Sequence, residues 1–453
     1  MGAKTKKIDL WSEKILYLKK SKEFFSKLSY KGINLWPIMA GDIYTYYYFS
    51  HIDIEEEPSF FKRFLINIKS LFFEDKFPVK GNGRILVSYF MPRKDHHELV
   101  KRAVSKFPKK DLVWIDAFGY KQKNILFRGK IKFPNILLLL SIYNKFRKKK
   151  LKKIFRNYYW FYILKTYFRL KQINQFYDIV DKIKPKGYIA FCSSAFPEEA
   201  ILTLICKNKK IPTFTLQHGF FYKPKSFVSS IIQSENIISD YHLLWGKKSY
   251  NIQKEYTDES RLIIVGNPKY ELIKKKVKKE YDPKKATIFF SVPAYNEGNF
   301  RLREIVKKFI EDHPEIIFNI AVHPMNDMNL FSKYFNYKNV KFISKNILAQ
   351  DLLKESDFVI VYNTTAALEA LNYKIPILRY AGKDFLSFWD KKQDTFTNLN
   401  ELRHLFLKIK NKRNYKKLMD FYEKELKKTF YFHPKKTIPE VYYKKIMEKI
   451  KNK

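Results

Sequence analysis

Two histidines, two threonines and a pair of glutamates are the residues of this chain best spaced to do chemistry. His218 closes the run PTFTLQHGF and is followed by Gly219. His323 closes the run IIFNIAVHP and is followed by Pro324. Both runs are short and rich in β-branched residues, which suits buried parallel strands that stop at their histidines. A neutral imidazole there can take a proton from a hydroxyl near pH 7, or hydrogen-bond a phosphate. Gly219 is expected to let the chain turn sharply behind His218. A third cluster, Asn363-Thr364-Thr365, follows FVIVY and opens the segment AALEALNY. Hydroxyls and free backbone N–H groups at a helix start favour a phosphate. Glu369 lies one turn further along that helix, within reach of a ribose. Glu297 is expected in a loop after the strand ATIFF, facing either a cleft or solvent.

These residues need strands to carry them, and the pattern supplies strands. From Ile316 to Arg379 the chain reads strand, loop, strand, helix, strand, helix, strand. In an open α/β sheet the residues just after the strands stand at the carboxyl edge, where ligands bind. The same alternation begins at Arg84 with RILVSYF, HHELVKRAVSKF and DLVWIDA, and resumes at GYIAFCSS. His96 and His97 start the first of these helices and read as exposed histidines of its opening turn. Ser193 and Ser194 read as caps of the helix EEAILTLICKNKK. The expected architecture is α/β, with two doubly wound domains facing a cleft. The first spans 1–275 and the second 283–400, with the basic stretch KKKVKKEYDPKK as linker. A basic helical tail covers 401–453.

Residues 132–175 interrupt the first domain with an apolar, then basic, then aromatic stretch. That pattern fits a helix lying on an anionic membrane, Lys and Arg on headgroups and aromatic rings at the acyl boundary. It also fits an internal helical pair with a solvated basic face.

The chain has 453 residues, 89 Lys+Arg against 45 Asp+Glu, and a net charge of +44. Either an anionic partner or codon bias accounts for this excess. Nucleic acid is not the expected partner, because no RNA-binding signature or zinc finger is present. Cys192 and Cys206 have neither zinc-site spacing nor the density of a disulfide scaffold, so a reducing cytoplasm is expected. The first residues lack an apolar signal core, and no stretch approaches about 18 apolar residues, so no membrane span is expected.

At His218-Gly219, His323-Pro324 and Thr364-Thr365 the chain resembles the GT-B glycosyltransferases that build bacterial surface polymers. The likeness is to the set containing CDP-glycerol glycerophosphotransferases and capsule sialyl- or Kdo-transferases, and it covers roughly residues 185–400. It implies that His218 is the acceptor-side base and that His323 contacts the donor's phosphate. It implies a nucleotide-activated sugar or polyol donor, CMP- or CDP-linked, and a glycan acceptor, free or lipid-linked. It implies no bound metal and no other cofactor, and a cytoplasmic enzyme peripheral on the inner membrane face. The Asp/Glu-Asp/Glu-Gly motif of several sialyltransferases is missing; Asn296-Glu297-Gly298 is a partial echo of it. Asp53-Ile54-Glu55 resembles the acidic metal motif of other sugar transferases, but its acidic surroundings favour a solvated loop. Two other readings remain: an enzyme of the UDP-N-acetylglucosamine 2-epimerase type, and a non-catalytic assembly subunit.

Overall fold

Short β-branched runs fold here as parallel strands buried on both faces, the environment their composition suits. The computed structural model describes residues 10–49, 77–91, 93–118, 136–148, 159–221, 228–270, 282–324, 326–344, 347–382, 385–389 and 393–452. Asp53-Ile54-Glu55 and most of the basic linker lie outside them. The chain divides into two units, Met1–Lys269 with His433–Lys453, and Tyr270–Phe432.

In the first unit the helix Leu10–Phe25 is followed by a small antiparallel hairpin, β1 (Ser29–Tyr30) and β2 (Ile33–Asn34). Its main sheet has seven strands: β3 (Val79–Lys80), β4 (Ile85–Tyr89), β5 (Leu112–Asp116), β6 (Gly187–Ala190), β7 (Thr213–Leu216), β8 (Tyr241–Leu244) and β9 (Leu262–Ile264). They stand in the order β3-β5-β4-β6-β7-β8-β9. Only β3, at the edge, runs antiparallel. The order reverses between β4 and β6, which pair in register Val87 to Ile189. Right-handed crossovers then send the helices of the two halves to opposite faces.

The second unit carries β10 (Lys285–Phe289), β11 (Ile317–Ala321), β12 (Val340–Phe342), β13 (Phe358–Val361), β14 (Ile377–Tyr380) and β15 (Thr395–Phe396). All six are parallel, in the order β12-β11-β10-β13-β14-β15. Counted within the unit this is 3-2-1-4-5-6, the dinucleotide-binding order, with its reversal between β10 and β13. At the far edge Arg379 and Asp394, both buried, pair at 2.6 Å and tie β14 to the start of β15.

The stretch 132–175 is described over two helices, Ile136–Lys148 and the first part of Tyr159–Ile183. Both contribute to the core of the first unit. Phe146, Tyr162, Tyr167 and Phe176 are buried with Phe24 and Phe25. Arg169 makes a bidentate pair with Asp42 at 2.7 Å inside the same unit.

The segment read as a separate tail is divided. Helices Leu399–Lys410 and Lys412–Thr429 belong to the second unit, and Ile438–Lys451 to the first. That last helix begins with a full capping box, Thr437 and Glu440 bonding each other's backbone. Its apolar face, Ile438, Val441, Tyr442 and Ile446, is buried, which a free tail could not achieve. Among the described residues no helix is long and apolar enough to cross a membrane.

Candidate functional site

In the second unit the strand reversal places the ends of β10 and β13 side by side. Ligands of open α/β sheets bind in the crevice at such a reversal. Ser291, just past β10, donates from its Oγ to the carbonyl of Asn363, just past β13, at 3.0 Å. The backbone of Ser291 is itself held. Asn299 accepts from its N–H at 2.9 Å and donates to its carbonyl at 3.1 Å. Asn326 donates to the same carbonyl at 2.7 Å. His323 ends the neighbouring strand β11, and its carbonyl accepts from the N–H of Asn326 at 2.8 Å. The turn that starts at His323-Pro324 is therefore the one that delivers Asn326 to Ser291. Asn363 takes a left-handed φ of 43°, and its Oδ1 accepts from the N–H of Leu386 at 2.8 Å. Asparagine tolerates that conformation better than most residues.

Thr364 Oγ1 accepts from the N–H of Ala366 at 3.3 Å, which leaves the hydroxyl proton to be donated elsewhere. Thr365 is exposed and makes no side-chain cap. The helix they open, Ala366–Asn372, has only seven residues. Its macrodipole is correspondingly small. Glu369 lies half-buried on this helix, and its charge helps burial push up the phenol of Tyr270. Glu297 is not in a loop. It sits in the first turn of helix Asn296–Asp312, exposed, and pairs with Arg301 at 2.7 Å. Gly298 beside it meets the ring of Tyr362: a Cβ there would stand 2.2 Å from the tyrosine oxygen.

In the first unit the reversal lies between β4 and β6, and two imidazoles gather near it. His218, past β7, packs its ring 5.2 Å from Phe191, the residue after β6. Gln233 Nε2 lies 3.3 Å from His218 Nε2. His96 stands 6.2 Å from His218 and 5.0 Å from Phe191 between ring centroids. His96 Nε2 is 3.7 Å from Asp95, and Arg93 grips the same carboxylate at 2.7 Å. His96 Nδ1 is buried with no hydrogen-bond partner among the described residues.

Burial pushes the His218 imidazole down to about 4, with the positive charge of Arg93 adding to it. Burial and Arg93 also hold His96 well below its usual value, against the pull of Asp95. Burial raises the Asp95 carboxyl, but His96 and Arg93 outweigh it and hold Asp95 at about 2. Both imidazoles are therefore neutral at pH 7 beside an ionised carboxylate. Two neutral rings can each accept or donate a hydrogen bond to a hydroxyl.

His96 and His97 are thus not exposed histidines of a helix start. His97 is buried, bonds Asp116 at 2.8 Å and stacks on Phe118 at 4.4 Å. Their pattern on the sequence is that of a first helical turn; only the sheet order brings His96 to the strand carrying His218. Ser193 and Ser194 do not cap the helix that follows. Phe196 occupies the N-cap, and Ser193 Oγ bonds Ser239 Oγ at 2.9 Å. Cys206 is core, as its apolar helix face implies, and Cys192 is buried as well. Gly219 needs no left-handed backbone, and a Cβ added there meets nothing within 4 Å among the described residues. Also among the described residues, no group of three or more His, Cys, Asp or Glu is placed to hold a metal ion.

No family model and no curated protein matches the chain. Solved structures do. A UDP-N-acetylglucosamine 2-epimerase is similar over 81% of this chain and 97% of its own, at 10% identity and a TM-score of 0.51. The UDP co-structure of MnaA from S. aureus aligns over 75% of this chain and 91% of its own, at 12% identity and a TM-score of 0.49. The lipopolysaccharide outer core galactosyltransferase WaaB aligns over 81% and 99%, at 11% and 0.45. At such identities the first of these likenesses is one of fold. With the strand orders above, it makes this an α/β chain of two Rossmann-like units of the GT-B type.

Proposed function

We propose that the chain is a glycosyl or polyol-phosphate transferase that uses a nucleotide-activated donor. The observation that supports this reading is the strand reversal of the second unit, where Ser291 Oγ bonds the carbonyl of Asn363, the residue before Thr364. There the Thr364 and Thr365 hydroxyls and His323 hydrogen-bond the donor phosphates, and Glu369 reaches the ribose. In the first unit His218 works on the acceptor hydroxyl as its base. The donor is CMP- or CDP-linked and the acceptor is a growing bacterial surface glycan, in keeping with the motif set. The enzyme acts on the cytoplasmic side, peripheral on an anionic membrane face where such an acceptor is presented.

A thermal-shift screen against CMP, CDP, UDP and GDP compounds tests the donor site, because a ligand that binds only the folded state raises the melting temperature. His323→Ala and Thr364→Ala should each weaken the nucleotide that binds by about ten-fold, since a hydrogen bond to a charged group is worth roughly 1.5–3 kcal/mol. Unchanged affinity in a folded His323→Ala protein removes His323 from the donor site. No binding to any nucleotide favours the assembly-subunit reading.

The likeness in fold to a UDP-N-acetylglucosamine 2-epimerase favours a second reading, an enzyme of that type. Incubation with UDP-N-acetylglucosamine alone separates the two. An epimerase converts it to the C2 epimer with no acceptor present, and a transferase leaves the sugar's configuration at C2 unchanged.

A further inference from the structure

Four large apolar side chains stand exposed on the two helices of the interrupting segment. Leu137 is 80% exposed, Ile136 64% and Leu140 51%, all on helix Ile136–Lys148. Trp160, at the start of helix Tyr159–Ile183, is 54% exposed. Loose packing does not explain them, because the opposite faces of the same helices are well docked. Phe146 meets Phe24 at 4.9 Å and Tyr159 at 5.9 Å, and Ile142, Phe161 and Tyr162 are buried. The exposed side is also continuous. Tyr143 and Trp160 stack at 5.4 Å with their planes 9° apart, which joins the second helix to the stripe on the first. From Ile136 to Tyr143 that stripe runs about 10 Å along the helix at 1.5 Å per residue. Past it the same helix exposes Lys145 and Arg147. The nine residues that follow in the sequence, 148–156, carry six more Lys or Arg.

We infer that this face docks on an anionic lipid bilayer. Ile136, Leu137, Leu140 and Trp160 enter the acyl boundary, and Lys145 and Arg147 lie on the headgroups. The inference rests on the membrane-surface acceptor proposed above and names the surface that reaches it. Both helices are amphipathic in the sense that matters here: one side is held by the protein core, the other offers an apolar tip beside a basic flank. Charge decides the occupant. A second copy of the chain docking through the same face would bring two copies of this basic flank into one interface, and like charges across an interface are penalised. An anionic bilayer neutralises them and accepts the aliphatic groups at once. A nucleic acid would satisfy the charges but has nothing to cover Leu137 and Ile136.

The test uses the whole chain sedimented with vesicles of phosphatidylcholine alone, and with vesicles containing about one-third phosphatidylglycerol. The wild type should bind the anionic vesicles, more weakly as salt rises. Leu137→Glu with Leu140→Glu should cut that binding by about ten-fold or more, because two apolar insertions are lost and two negative charges gained. Lys145→Glu with Arg147→Glu should weaken it and flatten its salt dependence. All four positions are exposed, so melting temperature and nucleotide affinity should not change. Wild-type vesicle binding by the Leu137→Glu, Leu140→Glu protein overturns the assignment, as does equal binding to both kinds of vesicle. A dimer in solution that this same variant disperses gives the face to a second copy and also overturns it. A wild type that binds vesicles but no nucleotide overturns the donor reading while supporting the docking face.

Discussion

Two imidazoles of the first unit stand together where the sequence singled out one, His218 with His96 at 6.2 Å between ring centroids. Gln233 lies 3.3 Å from His218 Nε2 and holds that edge of the ring. His96 has a buried nitrogen with no hydrogen-bond partner among the described residues and an ionised carboxylate nearby. Removing either ring should slow transfer while leaving donor affinity intact, since proton transfer from the acceptor is felt in the transition state. General-base help is typically worth about 10²–10⁴-fold, and His218→Ala should lose that much, with His218→Gln giving no rescue. His96→Ala should slow transfer comparably. Near-normal turnover in a folded His218→Ala protein removes the base from the mechanism, and a loss of melting temperature along with turnover would make either ring structural. The histidines also set a pH response. Burial holds His242 at about 3 and His218 at about 4. A free histidine titrates near 6.5, so between these values the unfolded chain binds more protons than the folded one. Stability is therefore full above about pH 6.5 and falls as pH drops toward 4, by on the order of 3 kcal/mol for each ring. Chemical denaturation at several pH values should show that decline, and His242→Leu should flatten it.

At the scale of elements, two glycines that look alike in the sequence do different things. Gly298 stands where helix Asn296–Asp312 presses on Tyr362, a residue 1% exposed with no room to retreat. Gly298→Ala should cost about 1–3 kcal/mol, the usual penalty for overpacking, and lower the melting temperature. Because Tyr362 immediately precedes Asn363, the same change should also weaken nucleotide binding. Gly219→Ala has open space for its methyl group among the described residues, so the melting temperature should hold. A loss of transfer without loss of stability in that variant would mark the space beside His218 as ground a ligand occupies.

At the scale of the molecule, the last helix matters more than a basic tail would. Tyr442 donates from its hydroxyl to the carbonyl of Gly266 at 3.0 Å, past the end of β9. Ile450 lies so close to β6 that a Cβ on Gly187 would stand 2.6 Å from its terminal methyl. Ending the chain at residue 432 removes Ile438, Val441, Tyr442 and Ile446 and uncovers the surface of the first unit on which they are buried. Each buried side chain of this kind is worth roughly 1.5–3 kcal/mol, so the first unit should lose most of its stability. Limited proteolysis of the shortened chain should degrade the first unit and spare residues 270–432. Equal resistance of both units would show the helix to be dispensable.

The sequence by itself determined the elements. Period and β-branching marked β4 to β9 and β10 to β14, because a strand buried on both faces must be apolar at every position and short. The strand-end positions of His218, His323 and Asn363 were legible for the same reason: the apolar run stops where the sheet edge begins. Neighbourhood was not legible. His96 precedes His218 by more than a hundred residues, and local pattern makes it one more polar residue in a helix's first turn. Sheet order decides that the loop after β4 stands beside the loops after β6 and β7, and this order is set by which strands pair. Pairing also turned residues 433–453 from a tail into a layer of the first unit. It divided the interrupting helices as well: their pattern showed basic and aromatic residues, but only docking against Phe24 and Phe25 decided which rings are core and which, with Leu137 and Leu140, face outward.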